Sequence, residues 1–314
     1  MSHRSYAVIG TGAIGGYYGA CLQQAGLELH FLLHSDYQDV QEHGLIVESP
    51  KGNFTLPQVN AYQDAAQMPP CDVAIVALKA TQNHLLPKIL PAVVKDNGIV
   101  LLLQNGLGAE EKVAEILPSQ QVIGGLCFIC SNKVAPGHIR HLDYGNIKIS
   151  EYTPNYQPCG ITESMRQVAS DLESAGIEIA LGEDLLLTRW EKLVWNIPFN
   201  GLSVVLDTTT EQMMADQEVR LLAEQIMQEV ALAAETAGDR LISQTYIQNR
   251  LEYTAKMKPY RTSMKIDYDS QRPMEIEAIL GNPLRAATAA GAHLPRIQML
   301  YQQLKFLETK NRSD

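Results

Sequence analysis

Residues 6–16 constrain this chain more than any other stretch: Tyr6-Ala7-Val8-Ile9-Gly10-Thr11-Gly12-Ala13-Ile14-Gly15-Gly16. A short apolar run ends in G-x-G-x-x-G, and a helical pattern follows through Ala25. Each glycine has a physical reason in such a turn. Gly10 permits a tight turn after a strand. Gly12 lets backbone approach a pyrophosphate with no Cβ in the way, and Gly15 lets the helix pack close to the strand. The phosphates would sit on the helix N-terminus, over Ala13 and Ile14, where unpaired N–H groups and the helix dipole favour an anion. Alone, G-x-G-x-x-G is a weak signal that a structural glycine-rich turn also satisfies. With a strand before it and a helix after it, the segment reads as a dinucleotide-binding turn.

At 314 residues the chain is long enough for two domains with real cores. A net charge of −10 argues against a general nucleic-acid or anionic-membrane surface, while permitting a local basic pocket for phosphates. Met1-Ser2-His3-Arg4-Ser5 leads straight into the first strand without a signal-peptide core, and there is no run of about 18 apolar residues. The expectation is a cytoplasmic protein. Five cysteines, Cys21, Cys71, Cys127, Cys130 and Cys159, are an odd and sparse set, not a disulfide framework. Cys127-Phe128-Ile129-Cys130 is nominally C-x-x-C, but in a strand positions three apart point to opposite faces. Buried thiols are expected there, and no metal site.

The first half alternates strands and helices. Strands are expected at 28–33, 72–78 and 99–103, a short ribbon at 44–48 and 53–56, and helices at 81–90 and 108–117. This is a doubly wound pattern. Three short antiparallel strands are expected near 122–130, 136–142 and 145–150, around Pro136-Gly137 and Tyr144-Gly145. A helix ending at Gly176 and a strand at 177–180 close this part. From about Gly182 the pattern is helical: 184–206, then 218–237 stopped by Gly238, then a helix capped by Ser243 running towards Lys258-Pro259. Next comes 274–290 with a break at Gly281-Asn282-Pro283, and a last helix opened by Pro295. The fold class is therefore an α/β Rossmann-type N-terminal domain, residues 1–183, followed by an all-α C-terminal domain, residues 184–314. The cleft between them is the natural place for a site.

Lys192, Asn196 and Asn200 are spaced i, i+4, i+8, on one face of a helix. They form a polar stripe in an otherwise apolar segment. Pro198 should disturb that helix by leaving the Val194 carbonyl without its usual donor. A solvated, kinked face is the plain explanation, against which stand Trp190, Trp195 and Phe199 around it. Downstream, Arg261-Thr262-Ser263-Met264 is followed by Arg272-Pro273-Met274-Glu275-Ile276, which puts Ser263 and Glu275 12 residues apart around a turn. An acidic residue at a helix mouth also has the ordinary role of complementing the helix dipole.

Taken together, Gly10-x-Gly12-x-x-Gly15, Lys79-Ala80, Gln104-Asn105-Gly106, Lys192-x-x-x-Asn196-x-x-x-Asn200 and Ser263-Met264…Glu275-Ile276 resemble the ketopantoate reductase (2-dehydropantoate 2-reductase) family. The resemblance covers nearly the whole chain, and five motifs in order are far more specific than any one. It implies NADPH-dependent reduction of 2-dehydropantoate to (R)-pantoate, towards pantothenate and coenzyme A, at a site in the cleft. By the same resemblance, Lys192 matches the general acid, and Glu275 the acidic residue that binds and orients substrate. Asn196, Asn200 and Ser263 match the groups holding the substrate hydroxyl and carboxylate. Asn105 matches an asparagine between cofactor and substrate, and Lys79 a lysine on the cofactor side.

One position departs from the pattern. Where the family commonly carries Arg for the 2′-phosphate of NADPH, this chain has His34-Ser35-Asp36. Histidine is largely uncharged at neutral pH and lacks a guanidinium fork, although it can donate one hydrogen bond and Ser35 another. An NADH enzyme usually places a carboxylate at the strand end for the ribose 2′-OH, and Asp36 lies two residues too far along. NADPH is the expectation, with NADH the alternative. Two further readings stand beside the main one. The first is a reductase of the same fold acting on another branched or aromatic 2-oxo acid. The second is a catalytically silent dinucleotide sensor, which would have no need of Lys192 and Glu275 together. A homodimer would suit the apolar helical domain.

Overall fold

The apolar run before the glycine turn becomes strand β1 (Ser5–Ile9), with all five residues buried. The computed structural model describes residues 4–257 and 260–311. It divides into two compact units: residues up to Gln104 with Ala109–Leu185, and Asn105–Gly108 with the chain from Leu186 onward.

In the first unit β1 is followed by α1 (Ala13–Gln24), β2 (Glu28–Leu32), α2 (Tyr37–His43), β3 (Leu45–Glu48), β4 (Phe54–Leu56), β5 (Asn60–Tyr62) and β6 (Cys71–Val76). Then come α3 (Leu86–Val93), β7 (Val94–Leu102), α4 (Ala109–Ile116), β8 (Gln121–Ala135), β9 (His138–Glu151), α5 (Glu163–Ser174) and β10 (Ile179–Leu181). The strands form one sheet in the order β4-β3-β9-β8-β7-β6-β1-β2-β5, with β10 beside β9. β1 runs parallel to β2 and β6, and β7 parallel to β6 and β8. Alternation along β1 explains why both faces are covered. Tyr6 and Val8 join Phe31, Ile75 and Leu101 in a core with Tyr18 and Leu22 of α1 and Leu172 of α5. Ala7 and Ile9 point the other way, into a core with Val76, Leu102, Leu90 of α3 and Val113 of α4. A sheet buried on both faces requires such continuous apolar strands.

The antiparallel part differs from expectation. Two long strands, β8 and β9, replace three short ones. Pro136-Gly137 is the hairpin turn, with Gly137 at φ +63°. Tyr144-Gly145 is an irregularity inside β9, where both residues take positive φ and the pairing with β8 shifts between Phe128 and Ile129. In sequence such a bulge looks like a turn, because both need backbone that favours glycine. Cys127 and Cys130 lie on β8 on either side of that shift, the second of them buried.

The second unit contains α6 (Leu185–Val205), α7 (Thr210–Ala215), α8 (Gln217–Gly238), α9 (Gln244–Lys256), α10 (Ser263–Asp269), α11 (Asn282–Ala289) and α12 (Pro295–Asn311). Side-chain caps start several of them, at Thr209, Asp216, Ser243 and Thr262. Lys258 and Pro259, towards which the sequence carries α9, lie outside the described residues, as do Met1-Ser2-His3. α6 runs through Pro198 as a single helix. α8 ends one residue later than expected. Gly238 is still helical, where a Cβ would crowd Leu186 and Trp190, and Asp239 takes the left-handed cap. The break at Gly281-Asn282-Pro283 is a π-helical turn, Glu277–Gly281, that leads directly into α11. The Asn282 N–H bonds the Glu277 carbonyl five residues back, so the wider turn accommodates the chain just before Pro283.

Candidate active site

In the first unit the turn between β1 and α1 gives each glycine a separate task. Gly10 sits at φ +94°, and a Cβ on it would lie 2.7 Å from the Leu78 nitrogen. A Cβ on Gly15 would lie 2.2 Å from the Gly10 carbonyl oxygen. Both positions are closed by packing. Gly12 is different: a Cβ there meets no described residue within 4 Å. Its backbone faces open space at the start of α1, whose N-terminus has no side-chain cap. An uncapped helix start with an open glycine fits the pyrophosphate of a dinucleotide, in both shape and partial charge.

Two strand ends border this turn. After β6, Lys79 is exposed and begins the short 3-10 turn Ala80–Leu85. Gln104 Nε2 ties that loop down with hydrogen bonds to the Leu78 carbonyl (2.8 Å) and Asn83 Oδ1 (2.6 Å). After β2, His34 and Ser35 are exposed. Asp36 is buried and fully engaged. It accepts from Lys133 Nζ at 2.8 Å on each oxygen, from Ser35 Oγ at 2.7 Å and from the Gly137 N–H at 3.3 Å. Burial alone would push its carboxyl pKa up, but the bonds from Lys133, Ser35 and Gly137 outweigh it and hold the group below the ordinary aspartate value.

In the second unit the polar stripe is not a solvated face. Lys192 is half-buried, and Asn196 and Asn200 are 6% and 3% exposed. Trp195 stacks on Phe199 with ring centroids 5.1 Å apart, and its Nε1 donates to Thr254 Oγ1 at 3.0 Å. These contacts fix the rotation of α6 about its axis. Asn200 Oδ1 is buried and has no hydrogen-bond partner among the described residues. An unmet buried acceptor costs about 1–3 kcal/mol, so this atom is suited to a ligand donor.

Ser263 is the first residue of α10, behind the N-cap Thr262, whose Oγ1 accepts from the Lys265 N–H at 3.2 Å. Thr262 and Ser203 are completely buried and share a hydroxyl–hydroxyl bond of 2.8 Å, while Ser203 Oγ also donates to the Asn200 carbonyl at 2.9 Å. The two hydroxyls therefore couple the Asn200 turn of α6 to the start of α10. Sequence reasoning missed both. Thr262 carried a readable signal, an N-cap residue before a helical stretch, whereas Ser203 is visible only once the helices are packed.

Glu275 is 5% exposed and directly precedes the helical segment, its carbonyl accepting from the Ile279 N–H at 3.0 Å. Its place at a helix start suits the dipole, and its carboxylate also faces Asn105, with Nδ2 to Oε2 at 3.5 Å. Asn105 is held there by the π turn. Gly106, at φ +91°, passes so close that a Cβ would lie 2.3 Å from the Ala278 oxygen. The Leu107 N–H bonds that same oxygen at 3.0 Å, and Asn282 Nδ2 bonds the Leu107 carbonyl at 2.7 Å. Asn105, Lys192, Asn196, Asn200, Ser263 and Glu275 thus all belong to the second unit, whereas Gly10, Gly12, Ala13, Ile14, Gly15, His34, Ser35 and Lys79 belong to the first.

Two family models match the chain. Residues 6–154 match the family described as ketopantoate reductase PanE/ApbA, and residues 184–308 match its C-terminal counterpart. A 2-dehydropantoate 2-reductase from Nostoc sp. is 62% identical over 313 residues, spanning 100% of this chain and 98% of that one.

This chain belongs to the ketopantoate reductase family.

Among solved structures, a 2-dehydropantoate 2-reductase from Geobacter metallireducens superposes with a TM-score of 0.91 at 38% identity, covering 96% of this chain and 99% of that one. One from Methylococcus capsulatus gives 0.88 at 33%, covering 98% and 97%. A Rossmann-like sheet domain followed by a helical domain is the fold of this family.

Proposed function

We propose that the protein reduces 2-dehydropantoate to (R)-pantoate with NADPH. The observation that carries the reading is the stripe of α6, with half-buried Lys192 in line with buried Asn196 and with Asn200, whose Oδ1 has no hydrogen-bond partner among the described residues. The similarity to relatives named for this substrate supports it. When bound, the nicotinamide supplies a hydride equivalent to the 2-oxo carbon. Reduction of a ketone leaves charge on its oxygen, and the Lys192 ammonium is the group that donates a proton there. Asn200 Oδ1 accepts from the substrate hydroxyl, which removes the cost of leaving that oxygen unmet. Asn196 and Ser263 hold the remaining polar groups of the substrate, and Glu275 orients it, with Asn105 beside the carboxylate.

Gly10, Gly12, Ala13, Ile14 and Gly15 form the phosphate cradle, with Lys79 at the next strand end. The state of Asp36 favours NADPH over NADH. A carboxylate that binds a ribose 2′-OH must have an accessible oxygen, and those of Asp36 are already engaged by Lys133, Ser35 and Gly137. Oxidation of NADPH followed by absorbance on adding 2-dehydropantoate, against a panel of 2-oxo acids and against NADH, tests the assignment. Preferred turnover of 2-dehydropantoate with NADPH is expected. A preference for another 2-oxo acid, or for NADH, would overturn the corresponding part.

A further inference from the structure

The arginine expected for a 2′-phosphate is missing after β2, yet the place is not without a cation. β8 brings one there from a distant part of the sequence. Ser131 Oγ donates to the Ala13 carbonyl at 3.0 Å, which lays this strand along the first turn of α1. Lys133, two residues further on the same face of the strand, reaches Asp36. There a single carboxylate oxygen, Asp36 Oδ1, receives both Lys133 Nζ and Ser35 Oγ, so the ammonium, the serine hydroxyl and the end of β2 form one cluster. The Lys133 side chain is 36% exposed, against 7% for Asp36, so the lysine is the solvent-facing member of the pair.

We infer that Lys133 is the residue that selects the 2′-phosphate of NADPH in this chain. The inference rests on the NADPH reading above. An ammonium has three N–H donors. Two are aimed at Asp36, which fixes the side chain in place, and one remains for a phosphate oxygen. The pairing works in both directions. Asp36 anchors the lysine, and the lysine masks a carboxylate that would otherwise repel a dianionic phosphate beside Ser35. A lysine recruited from β8 can therefore supply the charge that the missing arginine would have brought, although as a point charge and not as a bidentate fork.

The test is binding, not turnover: dissociation constants of NADPH and NADH from nicotinamide fluorescence, and displacement by adenosine 2′,5′-bisphosphate against AMP. Lys133→Gln should weaken NADPH and the bisphosphate about tenfold or more, the scale of one charge-assisted hydrogen bond. It should leave NADH and AMP within about twofold. Lys133→Arg should retain the preference. Because Lys133→Gln leaves the buried Asp36 carboxylate without its counter-cation, the Asp36→Asn protein and the Asp36→Asn/Lys133→Gln double variant are measured beside it. Asp36→Asn alone should tighten NADPH, and adding Lys133→Gln should reverse the gain. Equal losses for both cofactors would make Lys133 a structural anchor of the hairpin and overturn the inference, with the NADPH reading intact. A wild-type protein that binds NADH as tightly as NADPH would instead overturn that reading, and the inference with it.

Discussion

Under the proposed function, the glycine turn of the first unit and the polar helix face of the second would hold their ligands in opposite ways. The turn offers backbone: an uncapped helix start and a glycine beside open space. Its parts are contiguous, Gly10 to Gly15, because one tight turn sets all of them. The second unit offers side chains from separate segments: Asn105 from a loop, Lys192, Asn196 and Asn200 from α6, Ser263 from α10 and Glu275 before a π turn. Their positions depend on buried hydroxyls and on a glycine packed against Ala278. A backbone cradle is therefore sensitive to added atoms, and a side-chain site to deleted ones.

The largest expected effect of deletion is at Lys192. Lys192→Ala should lower kcat about 10²–10⁴-fold, the usual cost of losing a general acid, with NADPH affinity unchanged in a fluorescence titration. Near-native kcat on 2-dehydropantoate would remove Lys192 from the chemistry. The matching effect of addition is at Gly12. Gly12→Val should fold, because the new Cβ points into open space, yet bind NADPH about tenfold or more weaker, as expected when charge-assisted contacts to phosphate are lost. Gly15→Ala makes the contrast within the turn. Its Cβ would collide with the Gly10 carbonyl, so the melting temperature should fall before any specific binding defect appears.

Glu275→Ala should raise KM for the substrate about tenfold and leave cofactor binding alone, with Glu275→Gln milder if the role is to accept a hydrogen bond. Unchanged kcat and KM in the alanine variant would return Glu275 to a helix-dipole role. Ser203→Ala removes the bridge between the Asn200 turn and Thr262. It should raise substrate KM by several-fold, on the scale of one hydrogen bond, with NADPH affinity again unaffected. The smallest effect is a gain: His34→Arg should tighten NADPH severalfold through a guanidinium–phosphate contact and leave NADH where it was. No gain for NADPH would show that His34 points away from the 2′ position.

The sequence alone determined the parts whose physics is local. Gly10, Gly12 and Gly15 could be assigned separate tasks because one turn of known geometry requires them. The buried strands could be placed because a sheet covered on both faces needs continuous apolar runs. The 3.6-residue period put Lys192, Asn196 and Asn200 on one face before any packing was known. Tertiary structure decided what depends on distant neighbours. Tyr144-Gly145 reads as a turn in sequence, and only the pairing of β8 with β9 makes it a bulge. Asn105 follows a strand of the first unit yet packs in the second, because Gly106 and Leu107 are clasped by Ala278 and Asn282. Asp36 looked like a misplaced ribose ligand until the fold brought Lys133 to it across 97 residues of chain. Periodicity and turn chemistry act over a few residues, whereas the hydrogen bonds that aim these side chains close loops of tens of residues, which only the packed chain defines.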